Sequence, residues 1–383
     1  MTEDIAYSRL YFGPWYRRSP FFEATRRAGA KAYDIYNHMY LPGLYDDAET
    51  EYEALLHDVT VWDVSVERQV EISGPDGFKF ADFITPRDLT KCDVGQGKYV
   101  VITTEEGGII NDPVLIRLEK DRFWLSLANS DTLLWCKGVA VHSGLDVEIQ
   151  EPDVSPIQIQ GPKSKDVLNA LVGPKVLDLG YYYFLETKID GIPVVITRTG
   201  WSAEIGYEIY LCDGSKGEAL WEKVFAAGKP YKIRATAPSE IRRIEAGILN
   251  WGSDITLDNN PYEVGLGWLV DEDKKADYIG KEALARIRKA GVQRKLVGLE
   301  IAGDKIQVWL DRYWDVLADG KKVGHLTALT YSPRLKKNIG YALVPVAHAK
   351  LGSRLTVKTP KGDRAATVVR KPFVDPKKDL PKS

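Results

Sequence analysis

Across residues 192–211 two apolar runs, IPVVIT and GYEIYL, flank the polar stretch RTGWSAEI. Short runs rich in Val, Ile and Tyr predict two strands, at 192–197 and 206–211, with a loop at 200–205. Side chains alternate along a strand, so Glu208 shares a face with Gly206 and Tyr210. Gly200 and Gly206 bracket the loop and permit positive φ or close backbone approach. A carboxylate flanked this way can accept hydrogen bonds from a flat nitrogen heterocycle lying over the glycine.

The same patterning predicts the rest of the body. Residues 20–30 read as a helix with Pro20 in its first turn, and 32–39 as a strand on which Tyr36 and His38 share a face. Residues 46–57 read as a helix capped by Asp46 or Asp47. Residues 61–73 read as a strand region that places Arg68 among Val66, Val70 and Ile72, where a charge needs a partner or a pocket. A β-meander follows over 98–129, then a helix over 131–142. Further on come a strand at 154–160 and helices at 164–171, 215–226 and 239–249, with Ser215 as a cap for the second of these. In the last helix Ile241, Ile244 and Ile248 form the buried stripe. Arg243 lies off that stripe and faces either water or a cleft.

From residue 295 onward, short strands such as 296–301, 315–318 and 355–358 alternate with Gly/Asp/Lys turns, predicting a small β-barrel or sandwich. The chain therefore divides into a body, 1–290, and a C-terminal domain, 291–383. Residues 1–20 read as an arm lying on the body. The basic tail after Pro372 is expected to fray.

Composition narrows the classes of function. At 383 residues the chain can bury a large core in two or three domains. A net charge of −2 implies no general attraction to nucleic acid or anionic membranes. No apolar run reaches membrane-spanning length. MTEDIAYSRL lacks the basic and apolar regions of a secretory signal. Three distant cysteines, Cys92, Cys136 and Cys212, fit a reduced cytoplasmic protein. The five histidines show no metal-ligand spacing, so no metal is expected.

RTGWSAEIGYEIY resembles the RTGYTGEDGFEI signature of the glycine-cleavage T-protein family, tetrahydrofolate-dependent aminomethyltransferases. YNHMYLP from Tyr36, VWDVSVERQVEISG from Val61, GGIINDPV from Gly107 and EPDVSPIQIQGPKS from Glu151 extend the match. YNHM and WDVSVERQV are most similar to the dimethylsulfoniopropionate demethylase branch. The resemblance implies an α+β fold. Two entwined α+β subdomains surround a central folate channel, and a C-terminal β-barrel follows.

It also implies roles. Asp112 falls beside the reactive nitrogens of the folate, where a carboxylate stabilises positive charge developing at the attacking nitrogen. Tyr99, Asp112, Glu208 and Arg243 fall where family members hold tetrahydrofolate. Glu208 accepts from the pterin edge. Arg243 pairs with the pterin or the folate's acidic tail, or else with Glu240 or Glu245 on its own helix. Trp201 and Tyr210 match aromatic positions near the methyl donor, and aromatic faces suit an onium cation. Tyr36 and His38 are placed near the donor as well. The hairpin departs from the demethylase pattern WSKQGGYE: Glu204 appears, as in the aminomethyltransferases. If this loop reads the substrate, specificity differs.

The implied activity is methyl transfer from a small methylated donor, first of all dimethylsulfoniopropionate, to N5 of tetrahydrofolate. Alternatives are a betaine or methoxy-aromatic demethylase, a glycine-cleavage aminomethyltransferase, and a non-catalytic folate-binding protein. A homodimer is one assembly the sequence allows.

Overall fold

A computed structural model describes residues 12–308 and 310–383. Two sheets make the body. The six-stranded sheet runs Phe184–Ile189, Ile192–Thr197, Gly206–Leu211, Ser155–Gln160, Thr60–Asp63, Arg234–Ala235. The five-stranded sheet runs Glu148–Gln150, Gln69–Ser73, Arg122–Ser126, Val114–Glu119, Gly97–Tyr99.

The expected hairpin strands form over Ile192–Thr197 and Gly206–Leu211. The second is buried on both faces, and alternation gives those faces different work. Tyr207, Ile209 and Leu211 join Val61, Ile157 and Ile196 in a core that includes Leu168 and Leu220 from covering helices. Each fully buried side chain of this kind contributes about 1.5–3 kcal/mol. On the opposite face Tyr210 and Val195 pack against Trp124 and Ile116 of the other sheet.

The region 61–73 is two strands in two sheets, not one. Asp63 accepts from the Ser65 N–H at 3.1 Å and the Ser65 hydroxyl at 2.7 Å, which turns the chain into a short 3-10 segment, Ser65–Glu67. This crossover entwines the sheets and sets Glu67 between them.

Other departures have local causes. Residues 32–39 split into a hairpin, Ala32–Tyr36 and Met39–Leu44, because Asn37 and His38 turn at φ 47° and 60°. His38 therefore does not share a strand face with Tyr36. The helix over Glu240–Glu245 stops early: Gly247 adopts φ 72° and takes Ile248 off the stripe. Ser215 sits in a turn before the helix Gly217–Gly228, its N–H held by Asp213, and does not cap that helix. Arg68 finds its partner in Glu151, Nε to Oε1 at 2.9 Å. The part of the expected arm in residues 1–11 lies outside the described residues. Phe12 packs edge-on against Phe22, Tyr33 and Tyr40.

Beyond the helix Lys281–Ala290, six strands close a barrel in the order Arg294–Ile301, Lys337–Pro345, Lys321–Ser332, Trp314–Ala318, Arg354–Thr359, Gly362–Val369. The fold is α+β with a C-terminal barrel. The barrel docks through Tyr341, whose hydroxyl donates to Ile244 O at 2.7 Å. The segment after Pro372 does not fray. Phe373 and Val374 N–H donate to Glu245 O, and Arg198 holds Pro381 O at 3.1 Å. Cys92 and Cys136 are buried, Cys212 partly so, and all three are free thiols. No helix among the described residues is long and apolar enough to cross a membrane.

Candidate functional site

A cavity of about 890 Å³ opens where the two sheets and the barrel meet. That size is ordinary for a small-molecule site. Strand register builds one wall. Gln158 pairs with Glu208 on one side and Trp62 on the other, so the three side chains share the cavity face. Thr197 lies opposite Glu208 from the remaining side.

Glu208 is buried and well supplied with donors. Gln158 Nε2 donates at 2.7 Å, the Tyr210 hydroxyl at 3.2 Å, and the Thr199 hydroxyl bonds the same carboxylate. The orientation of Gln158 is pinned: its Oε1 accepts from the Trp201 N–H at 3.1 Å, which turns Nε2 toward the acids. Nε2 also reaches Glu67 Oε1 at 3.3 Å, and Ser126 donates to Glu67 Oε2 at 2.8 Å. Burial and then the neighbouring Glu208 push the Glu67 carboxyl well up, and burial pushes Glu208 up despite its donors. The two carboxyls therefore titrate together, each disfavouring ionisation of the other.

Asp112 arrives from the second sheet. Strand Ile109–Asn111 ends in a bend that Asn111 anchors: its Nδ2 donates to Ala128 O at 2.9 Å and its Oδ1 accepts from Ala128 N at 3.0 Å. With Asn111 held inward, Asp112 lies in the cavity wall. The Tyr99 hydroxyl donates to its Oδ2 at 2.7 Å. Burial pushes Asp112 up to about 7, against the pull of that hydrogen bond.

Tyr36 lines the cavity. Asn37 fixes its hairpin by donating to Val66 O at 2.9 Å and Ala128 O at 3.0 Å. Burial, with Asp112 and Glu67 nearby, pushes the Tyr36 phenol up. Trp201 also lines the cavity; it packs on Leu55, Trp62 and Val64, and the Arg243 guanidinium lies 5.7 Å from its ring centroid. Arg243 is buried in the wall, with Nε to Glu240 at 2.8 Å and Nη1 to Asp254 at 2.7 Å. It therefore uses the pairing with Glu240 on its own helix, and Asp254 completes its neutralisation.

Tyr99, Asp112, Glu208, Arg243, Trp201 and Tyr36 thus converge on one cavity, while His38 and Tyr210 do not. His38 is exposed, its Nε2 3.2 Å from Asp131 Oδ1. Tyr210 is fully buried between the sheets, 6.1 Å from the Trp124 ring, and reaches the site through its hydroxyl's bonds to Glu208 and Ser126.

Two features of the hairpin loop also read differently in three dimensions. A Cβ on Gly206 would sit 2.4 Å from the Gln160 side chain, and on Gly200 2.3 Å, so the glycines make room for Gln160 and not for a heterocycle. Glu204 is not among the cavity-lining residues and pairs with the fully buried Arg242 at 2.6 Å. Sequence reasoning passed over Glu67, Gln158 and Tyr182. Glu67 stood inside the quoted WDVSVERQV run, but only the crossover reveals where it points.

The residues suit tetrahydrofolate. Acceptors at Glu208 and Asp112 match the N–H-rich edge of a pterin, and among the described residues no side chain other than Tyr99 bonds Asp112. Tyr36, Tyr182 and Trp201 supply flat walls.

Residues 21–274 match the model of the GCVT N-terminal domain, and 294–375 that of the glycine cleavage T-protein C-terminal barrel domain. The chain is 40% identical to dimethylsulfoniopropionate demethylase DmdA of Ruegeria pomeroyi, over 92% of this chain and 96% of that protein. It is 33% identical to an aminomethyltransferase of Thermotoga neapolitana, over 93% and 97% of the two chains. The crystal structure of the glycine cleavage system aminomethyltransferase T from Bartonella henselae superposes with a TM-score of 0.84 at 24% identity, covering 94% of this chain and 98% of that one. Both halves of the chain match, the barrel closes as in that fold, and the chain belongs to the glycine cleavage T-protein family.

Proposed function

We propose that this enzyme of the aminomethyltransferase family removes a methyl group from a small onium donor, dimethylsulfoniopropionate foremost, and passes it to tetrahydrofolate. The observation that carries this reading is the convergence of Tyr99–Asp112 and Gln158–Glu208 on one aromatic-walled cavity. The 40% identity to a dimethylsulfoniopropionate demethylase supports the donor.

Tetrahydrofolate bound there would supply a nucleophilic N5 for the methyl carbon, the broken bond's electron pair staying on sulfur and the N5 proton passing to solvent. Glu208 anchors the pterin edge, fixed in turn by Gln158 and Thr199. Asp112, oriented by Tyr99, stabilises positive charge as it develops on the attacking nitrogen. Tyr36 and Trp201 face the donor, whose cation gains roughly 0.5–2 kcal/mol from each aromatic contact. An onium sulfur already leaves as a neutral thioether, so alignment is the main task left to the protein.

Calorimetric titration with tetrahydrofolate, chelator present, tests the first half. Binding with matching protection against thermal unfolding is expected; neither heat nor protection rejects the assignment. Incubation with tetrahydrofolate and a panel of sulfonium, betaine and methoxy-aromatic donors tests the second. Turnover of a methoxy-aromatic acid alone replaces the onium reading with an O-demethylase on the same scaffold.

A further inference from the structure

Beyond the last barrel strand the chain returns to the body and contributes a basic group to the cavity wall. Phe373 stacks on Tyr341 at 6.1 Å with 12° between the rings, and the two backbone bonds to Glu245 O fix the segment. Lys371, just before this clamp, lines the cavity, and Lys378 lines it farther along the same segment.

Lys371 is an unusual cation. Its Nζ donates to Val264 O at 3.3 Å and lies 5.3 Å from the Tyr341 ring centroid. Among the described residues no carboxylate lies within ion-pair distance of it. Asp254 is the acid that acts on it, and that carboxylate is already engaged by Arg243 at 2.7 Å, Thr327 at 2.6 Å and the Asn250 N–H at 3.0 Å. Lys371 is half-buried, and a partly desolvated ammonium with one carbonyl partner keeps donors free for a ligand to take. Burial accordingly pushes Lys371 down to about 8.

The cavity is polar along its length. Glu67, Glu208 and Asp112 form an acidic region; Trp201 leads to Arg243, Arg243 to Asp254, and Asp254 to Lys371. Arg243 is neutralised by Glu240 and Asp254 and leaves an anionic tail without a free cation. We propose that Lys371, with Lys378 farther along the same segment, is the carboxylate anchor of this cavity, and that the carboxylates it takes are the glutamyl carboxylates of the folate. The proposal rests on the folate reading above. Its chemistry, an aliphatic carboxylate on an ammonium, would equally serve a donor that carries a carboxylate, and the test separates the two sources.

Tetrahydropteroate, which lacks glutamate, tetrahydrofolate and its triglutamate are titrated into wild type, Lys371→Met, Lys371→Arg and Lys378→Met. Wild type is expected to bind tetrahydrofolate about tenfold or more tighter than tetrahydropteroate, the worth of one charge-assisted hydrogen bond. Lys371→Met should erase that difference while leaving tetrahydropteroate affinity and donor KM in place, and Lys371→Arg should restore most of it. Lys378→Met should weaken the triglutamate more than the monoglutamate. Equal binding of tetrahydropteroate and tetrahydrofolate by wild type overturns the anchor while sparing the folate reading. A raised donor KM in Lys371→Met with unchanged folate affinity overturns it in favour of the donor's carboxylate. Failure of wild type to bind any of the three ligands rejects the folate reading and the anchor with it.

Discussion

Glu67 and Glu208 share one amide: Gln158 Nε2 donates 3.3 Å to the first and 2.7 Å to the second. The residues come from a crossover turn and from the central hairpin, so the contact ties the two sheets together at the cavity. It also fixes charge. Glu208 has four side-chain donors and keeps its anion more readily, whereas Glu67 is held in its neutral form by burial and by that anion.

A stability profile reports this pair. Glu67, Glu208 and Asp112 all titrate higher folded than unfolded, Asp112 at about 7. Their contribution is fully present below the unfolded carboxyl range and is lost as pH rises through the folded values. The apoenzyme should therefore lose Tm between roughly pH 5 and 8. Glu67→Gln keeps a neutral side chain and should give a shallower decline in a thermal-shift series. Parallel profiles for variant and wild type would contradict a raised Glu67 carboxyl.

Asp112→Asn should fold and bind tetrahydrofolate nearly as wild type, while kcat falls on the order of 10²–10³-fold, the usual loss of one electrostatic stabiliser. In the proposed mechanism the ionised form is the active one. Wild-type kcat/KM should therefore rise with pH through an apparent pKa near 7, and the variant should lack that acid limb. Equal losses in binding and turnover would reduce Asp112 to an anchor.

Trp201→Leu removes the π face but keeps apolar bulk. It should weaken an onium donor by roughly 0.5–2 kcal/mol and a neutral isostere by clearly less. Tyr210→Phe provides the contrast, because its ring is buried between the sheets and its hydroxyl meets Glu208 and not the cavity. That change should cost about 0.5–1.5 kcal/mol of stability and leave donor KM unchanged. A donor KM that moves as much in Tyr210→Phe as in Trp201→Leu would return Tyr210 to the donor site.

Glu204→Gln removes the near carboxylate of Arg242, a guanidinium with no exposed surface, and leaves it Glu245 at 3.9 Å. Denaturant unfolding should register a loss of about 3–5 kcal/mol. Relative kcat/KM across the donor panel should stay the same, since Glu204 is not among the cavity-lining residues. A changed donor preference at unchanged stability would make the loop a substrate reader after all.

Local signals were legible where local forces decide. The hairpin strands and the Asp47 cap with its bonds to Glu49 N and Thr50 N follow from side-chain type and spacing. So did the placement of six of the eight candidate residues on the cavity: Tyr36, Asp112, Trp201 and Glu208 through the motifs at 36–42, 107–114 and 197–211, and Tyr99 and Arg243 through their residue-by-residue match to the family. Non-local choices were not legible. Nothing in the pattern told that residues 61–73 change sheets at Ser65, that Tyr210 faces Trp124, or that Gln160 fills the space beside Gly206. The tail's polar composition likewise concealed the Phe373–Tyr341 stack that seats Lys371.

Methyl transfer itself is tested most directly by isotope. The enzyme is incubated with tetrahydrofolate and dimethylsulfoniopropionate whose S-methyl groups are fully deuterated, and the folate product is read by mass spectrometry. The predicted result is 5-methyltetrahydrofolate carrying the intact deuterated methyl group, formed in step with the demethylated thioether and absent in Asp112→Asn on the same time scale. Thioether release without label on the folate, or labelled methylenetetrahydrofolate in place of the methyl form, would contradict it.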